Sequence, residues 1–160
     1  MVRRMLSGTA LAALVVIAIQ TPVSAGPPTR TEASINLTGP HFLSGICGFE
    51  ILHTGTLHET ATTFSDGRTI VHIQVDATLS ANRKEAYENA NFTVVIDPDT
   101  GTLAITGTVV NIHASGEGIL VQDLGRIVRD LPTGDMISLA GRWMLPEGDT
   151  EEVCAYFADV

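Results

Sequence analysis

Apolar and polar residues alternate along much of the chain, which is the pattern of half-buried β-strands. The clearest run extends from Thr69 to Leu79. One side of this run carries Val71, Ile73, Val75, Ala77 and Leu79, and the other side is mostly polar. A period of two with a single apolar side predicts a strand with one face in the core.

The surrounding sequence predicts further strands separated by turns. The predicted strands are Glu50 to Phe64, Phe92 to Ile96, Leu103 to Ala114, Ile119 to Leu131 and Met136 to Met144. Asp66-Gly67 and the segment Pro98 to Gly101 are typical hairpin turns, and glycines at 55, 107, 125 and 141 indicate bulges or bends. We therefore expect an all-β fold, an antiparallel meander of about six to eight strands, with a small barrel favoured over a sandwich.

The turn at 98–101 also predicts a register. If Asp97 pairs with Thr102, then Phe92 lies opposite Gly107, and one face of the hairpin is apolar. The polar stretch from Ser80 to Asn91 predicts a long hairpin loop or a helical turn. The tail from Thr150 to Phe157 predicts a last strand or a short helix.

The N-terminal segment has the layout of a secretory signal peptide. Arg3 and Arg4 precede an apolar run from Ala10 to Ile19, and Val23-Ser24-Ala25 is typical of a cleavage site. The expected organisation is a signal peptide over 1–25, a flexible N-terminal arm over 26–46 and a single β domain over 47–160. The apolar run is too short to span a bilayer, so no membrane span is expected after cleavage.

The composition narrows the range of partners. The chain carries 18 acidic and nine basic residues, a formal net charge of −9. Such a surface repels nucleic acid and favours solubility, so no binding of nucleic acid is expected. The signal-peptide layout predicts a secreted, extracellular protein.

Two cysteines, Cys47 and Cys154, are present. An even pair in an exported chain predicts a disulfide, which would restrict the unfolded chain by about 4–5 kcal/mol in the entropic account. A catalytic thiol and a metal pair are less favoured, because an unpaired thiol does not persist outside the cell and metal sites use more ligands.

One set of residues resembles a known type of protein. Cys47-Gly48-Phe49, the hairpin from Phe64 to Arg68 and a single cysteine near the C-terminus are similar to small exported, β-rich actinobacterial proteins of unknown function. The resemblance implies secretion, a disulfide and a β fold, and it implies no catalytic residues.

Candidate chemistry is sparse. Three of the five histidines could converge on a metal. If the Asp66-Gly67 hairpin pairs Phe64 with Thr69, Glu59, His72 and Asp76 would form a weak polar cluster. A polar outer sheet face explains the same residues more simply. In the same hairpin register, His58 would lie on the apolar side. No catalytic residue, metal ligand or cofactor is therefore assigned.

The expected function is a secreted, non-enzymatic β module that binds a small apolar ligand or a protein partner. The apolar ligand would occupy the interior of the barrel. The alternatives are a hydrolase or isomerase with a His/carboxylate site, with or without a metal, on one sheet face, and a structural cell-surface protein.

Overall fold

A computed structural model describes residues 26–145 and 148–158, so the predicted signal peptide lies outside the described residues. Seven strands and two short helices account for most of this part of the chain. The strands are β1 (Thr29–Pro40), β2 (Leu52–Thr63), β3 (Thr69–Ala81), β4 (Lys84–Asp97), β5 (Thr102–Ala114), β6 (Gly118–Asp130) and β7 (Met136–Trp143). The helices are α1 (Leu43–Cys47) and α2 (Glu151–Phe157). Neither helix is long and apolar enough to cross a membrane, nor is any other helix of the described ranges.

The strands form one antiparallel sheet in the order of the sequence, which confirms the predicted all-β meander. The register at the 98–101 turn is also confirmed: Asp97 pairs with Thr102, and Phe92 lies opposite Gly107. We call the face that carries Val71 and Ile73 the inner face and the opposite face the outer face. The inner face carries most of the buried apolar side chains.

Two segments differ from the sequence predictions. The predicted flexible arm, 26–46, contains β1 and most of α1, because its Thr- and Ser-rich residues pair with β2 over twelve positions. The predicted loop over 80–91 is a tight hairpin, because Asn82 and Arg83 both have positive φ, 49° and 65°, and turn the chain in two residues.

The sheet is not closed into a barrel, so the barrel preference was wrong. The odd number of strands makes closure of the sheet less favourable. In an antiparallel meander of seven strands, β1 and β7 run in the same direction, so closure would need a parallel pair, which is slightly less stable per residue. The sheet therefore keeps two free edges, β1 and β7.

A row of three glycines lies across β5, β6 and β7. Gly107, Gly125 and Gly141 lie directly beside one another on β5, β6 and β7, with φ of 125°, 152° and 114°. A Cβ on any of them would collide with the backbone of the adjacent strand. The strands approach closely because no side chain intervenes, and glycine pairs of this kind are typical of places where a sheet curves.

The core on the inner face has two parts. At the capped end, α1 and α2 cover the sheet, and the buried set is Leu43, Ile51, Leu79, Ala86, Val110, Ile112, Ala114, Leu120, Val121, Val153 and Phe157. At the open end neither helix contributes to the buried set, which is Leu57, Ala61, Val71, Ile73, Val94, Ile96 and Ile105. Because a flat sheet would leave one-face side chains exposed, we infer that the sheet curls over them.

The predicted disulfide joins the two helices. Cys47 at the end of α1 is bonded to Cys154 in α2, with a Cα–Cα distance of 5.2 Å. The bond closes a loop between residues 107 positions apart. It therefore holds both helices over the capped end, and it is compatible with an extracellular protein.

Candidate functional site

The three residues of the predicted polar cluster do not lie together. His72 pairs with Thr60, and Glu59 pairs with Ile73. The sequence prediction had set Phe64 opposite Thr69, whereas Thr63 takes that place. A shift of one residue moves a side chain to the other face, so Glu59 lies on the inner face while His72 and Asp76 lie on the outer face.

The other residues singled out in the sequence also take defined places. His72 is exposed, and its Nδ1 lies 2.9 Å from the Thr93 Oγ1 on the next strand. His58 is exposed on the outer face, not on the apolar side as predicted. Asp76 lines an outer-face depression together with neutral amides, and we call this depression the amide basin.

The amide basin is a shallow cavity of about 370 Å³ that crosses β3, β4, β5 and β6 on the outer face. Its lining residues are Gln74, Asp76, Asn89, Ala90, Asn91, Thr108, Asn111 and Gln122. Five of the eight carry a primary amide, which can donate and accept hydrogen bonds at once. The basin is therefore a dense array of neutral hydrogen-bonding groups.

Hydrogen bonds between the amides hold part of this array in place. The Asn111 Nδ2 donates to the Asn89 Oδ1 at 2.6 Å, and the Gln122 Nε2 donates to the Asn111 Oδ1 at 3.3 Å. The chain of bonds links β4, β5 and β6 across the floor of the basin. These two hydrogen bonds fix the orientation of three neighbouring side chains.

A bulge in β5 makes the basin. Thr108 pairs with both Asn91 and Leu124, but Val110 is already opposite Asp123, so β5 has one more residue than either neighbour at this point. Residues three apart in a regular strand point to opposite faces. The extra residue brings Thr108 and Asn111 to the same face, where both line the basin.

The residue types in the basin also contrast with the rest of the outer face. Elsewhere that face carries Thr54, Thr56, Thr60, Thr62, Thr78, Thr93 and Thr106. Thr is enriched in strands and Asn is depleted. Amide residues in the middle of a strand therefore lower its β-propensity. Residues whose local propensity disagrees with the fold are concentrated at functional sites.

An aromatic pair borders the basin. Tyr87 precedes Asn89 by two residues in β4, and His113 follows Asn111 by two residues in β5, so both rings share the outer face with the amides. The ring centroids are 5.8 Å apart, and Tyr87 is 44% exposed. The rings lie about 7 Å along the strands from the amides.

A second polar group is buried on the inner face. The Nε2 of His41 lies 3.3 Å from the Glu88 Oε2, and both side chains are almost fully buried. The His41 Nδ1 accepts a hydrogen bond from the Leu43 N–H at 3.4 Å, which leaves the proton on Nε2 to face the carboxylate.

His53 lies beside this pair, with its ring 5.4 Å from that of His41. Its Nδ1 is buried and has no hydrogen-bond partner among the described residues. Burial lowers the pKa of His53, and the nearby His41 lowers it further, while Glu88 opposes this effect. No group of three or more His, Cys, Asp and Glu side chains in the described segments is arranged to hold a metal.

A wider groove of about 660 Å³ lies beside the β3–β4 turn, but its residues already serve the fold. The Asn82 Nδ2 donates to the Phe157 carbonyl at 2.9 Å, and the Lys84 ammonium lies over the Tyr156 ring. The Tyr156 hydroxyl donates to the Glu85 carbonyl at 2.7 Å. Three residues that line this groove therefore attach α2 to the β3–β4 hairpin.

No protein-family model, curated protein or solved structure matches the chain. The candidate site therefore depends on geometry alone. Sequence reasoning missed the amide basin because its members come from four strands. The available signal was the repeated amide on the polar side of predicted strands, as at Gln74, Asn111 and Gln122.

Proposed function

We propose that this protein is an exported, non-enzymatic module that binds a polar ligand in the amide basin. The observation that carries the proposal is the convergence of five primary amides from four strands at a bulge, on a face that carries many threonines elsewhere. Amide side chains do not ionise near neutral pH, so they suit recognition better than acid–base catalysis. Export is supported by the signal-peptide pattern and by the disulfide.

The open sheet argues against the earlier expectation of an apolar ligand. That expectation depended on the interior of a closed barrel, and an open sheet supplies no such interior. The inner face is instead occupied by its own side chains and by the helices. The outer face therefore supports a ligand site better than the inner face.

The test uses a double variant that keeps the strands intact. Replacing Asn89 and Asn111 by Thr removes the central amide bond and inserts a residue that strands favour, so the variant should fold at least as stably as the wild type. The matched control is Asn36→Thr, an exposed amide on the outer face of β1, three strands from Asn89.

The three proteins are secreted by the organism that produces the chain and compared by native and denaturing mass spectrometry. We expect a non-covalent ligand mass on the wild type and on Asn36→Thr, and its loss from the double variant. The denatured mass gives the cleavage site, expected after Ala25. A bare native mass for all three proteins, or a ligand retained by the double variant, would contradict the proposal.

A further inference from the structure

We infer that the ligand of the amide basin is a neutral carbohydrate chain, an inference that rests on the binding function proposed above. The basin lies across the strands on an open face and borders an aromatic pair. Hydrogen-bonding capacity, charge and ring placement each point to this chemical class.

The hydrogen-bonding groups match a ligand rich in hydroxyls. Gln74, Asp76 and Asn91 line the basin, and none of their side chains has a hydrogen-bond partner within the described segments. Each amide offers two donors and an acceptor, and a carboxylate offers acceptors only. A sugar hydroxyl both donates and accepts, so adjacent hydroxyls of one ring can satisfy an amide and the carboxylate together.

The charge of the basin selects against anions. Asp76 is its one charged lining residue in the described part of the chain. The chain as a whole carries a formal charge of −9. A phosphate, sulfate or uronate group would therefore meet repulsion without a basic partner, whereas a neutral hydroxyl-rich ligand meets none.

The aromatic pair extends the site along the strands. The Tyr87 and His113 rings are tilted by 35° to each other, and Tyr87 is 44% exposed. The apolar C–H face of a pyranose packs on such rings, and the amides two residues further along each strand would bind the hydroxyls of the next unit. A ligand that uses both subsites must be longer than a single sugar.

The shape of the site agrees with an extended ligand. The basin holds about 370 Å³ and is open to solvent, so it does not enclose a small molecule. A chain that crosses the face can place one unit on the rings and another in the basin while both of its ends continue into solvent. We therefore expect weak binding per unit and stronger binding with increasing chain length.

The experiment is an isothermal titration of the purified, oxidised protein with neutral hexasaccharides of glucose, mannose, xylose and N-acetylglucosamine, with hexagalacturonate as the anionic comparison. At least one neutral hexasaccharide should bind, and its monosaccharide should bind at least about tenfold more weakly.

The double variant Asn89→Thr/Asn111→Thr should lose binding. Tyr87→Ala should weaken binding of the hexasaccharide about tenfold without changing that of the monosaccharide. Asn36→Thr should bind like the wild type.

The outcomes separate the two proposals. Failure of all neutral hexasaccharides to bind, preferential binding of hexagalacturonate, or full binding by the double variant would overturn the carbohydrate inference. If the native mass measurement still shows a non-carbohydrate ligand that the double variant loses, the binding function stands and the ligand class is wrong. If no ligand is found by either measurement, both proposals fail.

Discussion

The two ends of the inner sheet face are buried by different means. At the capped end, two helices and a disulfide cover the sheet, and Ile112 and Phe157 are fully inaccessible. At the open end the sheet covers itself by curling, and residues such as Ile105 remain 6% exposed. Nearby apolar residues at the β7 edge stay exposed, Met136 at 48% and Leu139 at 38%. A single curved sheet can thus bury a core, but a less rigidly enclosed one.

The largest expected effect comes from two isoleucines on the same strand. Ile112→Ala at the capped end should lower the free energy of unfolding by about 4 kcal/mol, because helices and sheet enclose the cavity. Ile105→Ala at the open end should cost about 2 kcal/mol, because the curled sheet can relax into the space. Urea unfolding of both variants gives the comparison. Equal losses, or a larger loss at Ile105, would show that the two ends are equally rigid.

Removal of the disulfide should act mainly at the capped end. We expect Cys47→Ala/Cys154→Ala to lose about 2–4 kcal/mol of unfolding free energy, because the closed loop is long. Hydrogen exchange of backbone amides locates the effect. Protection should fall most in α1 and α2 and least in the part of β3 around Val71. A uniform loss of protection would mean that the disulfide stabilises the whole fold and not the cap.

Two glycines, one in each region, should respond oppositely to alanine. Gly107→Ala should destabilise by about 1–3 kcal/mol, because its Cβ would lie 2.6 Å from the Asn91 carbonyl oxygen and 2.9 Å from the Phe92 Cα, at a φ of 125°. Gly45→Ala, in α1, meets no atom within 4 Å and should gain up to about 1 kcal/mol from helix propensity. Thermal melting of both variants provides the measurement. An unchanged melting temperature for Gly107→Ala would contradict the close approach of the strands at this position.

The smallest expected effect is a pH dependence from His53. Its pKa is lowered in the folded protein, so the unfolded chain binds more protons once the pH falls below about 6.5. Stability should therefore decrease as the pH falls from about 6.5 towards the folded-state pKa and should then cease to change on this account. Urea unfolding between pH 7.5 and 5 measures the slope. His53→Leu removes the titrating group, and an unchanged slope in this variant would assign the effect to other residues.

The sequence predicted the fold where turn chemistry was explicit. Pro98-Asp99-Thr100-Gly101 gave the correct register because the Asp97 carboxylate accepts hydrogen bonds from the backbone N–H groups of Asp99 and Thr100, which pins the turn. The Asp66-Gly67 turn was located, but its register was wrong by one residue. The Phe64 N–H bonds the Arg68 carbonyl outside the strands, and Thr63 is the last paired residue.

The candidate site was not predictable to the same degree. Its bulge falls at Val109-Val110, two residues that favour regular strands, so no local signal marks the extra residue. The segment around Glu88 is polar enough to resemble a loop, and only tertiary packing buries that carboxylate beside His41. Pairing between distant segments therefore decides both features.

The position of the disulfide has a consequence for the products of proteolysis. Cys47 and Cys154 lie before the first turn and after the last turn of the β2–β7 meander. A protease that cuts any one hairpin between them leaves two fragments joined by a covalent bond and by their neighbouring strands. Such a nicked molecule stays a single species under non-reducing conditions, heavier by the one water that hydrolysis adds, and separates into two pieces only after reduction. Exposed loops such as Pro132-Thr133-Gly134 can therefore be cleaved without releasing a fragment.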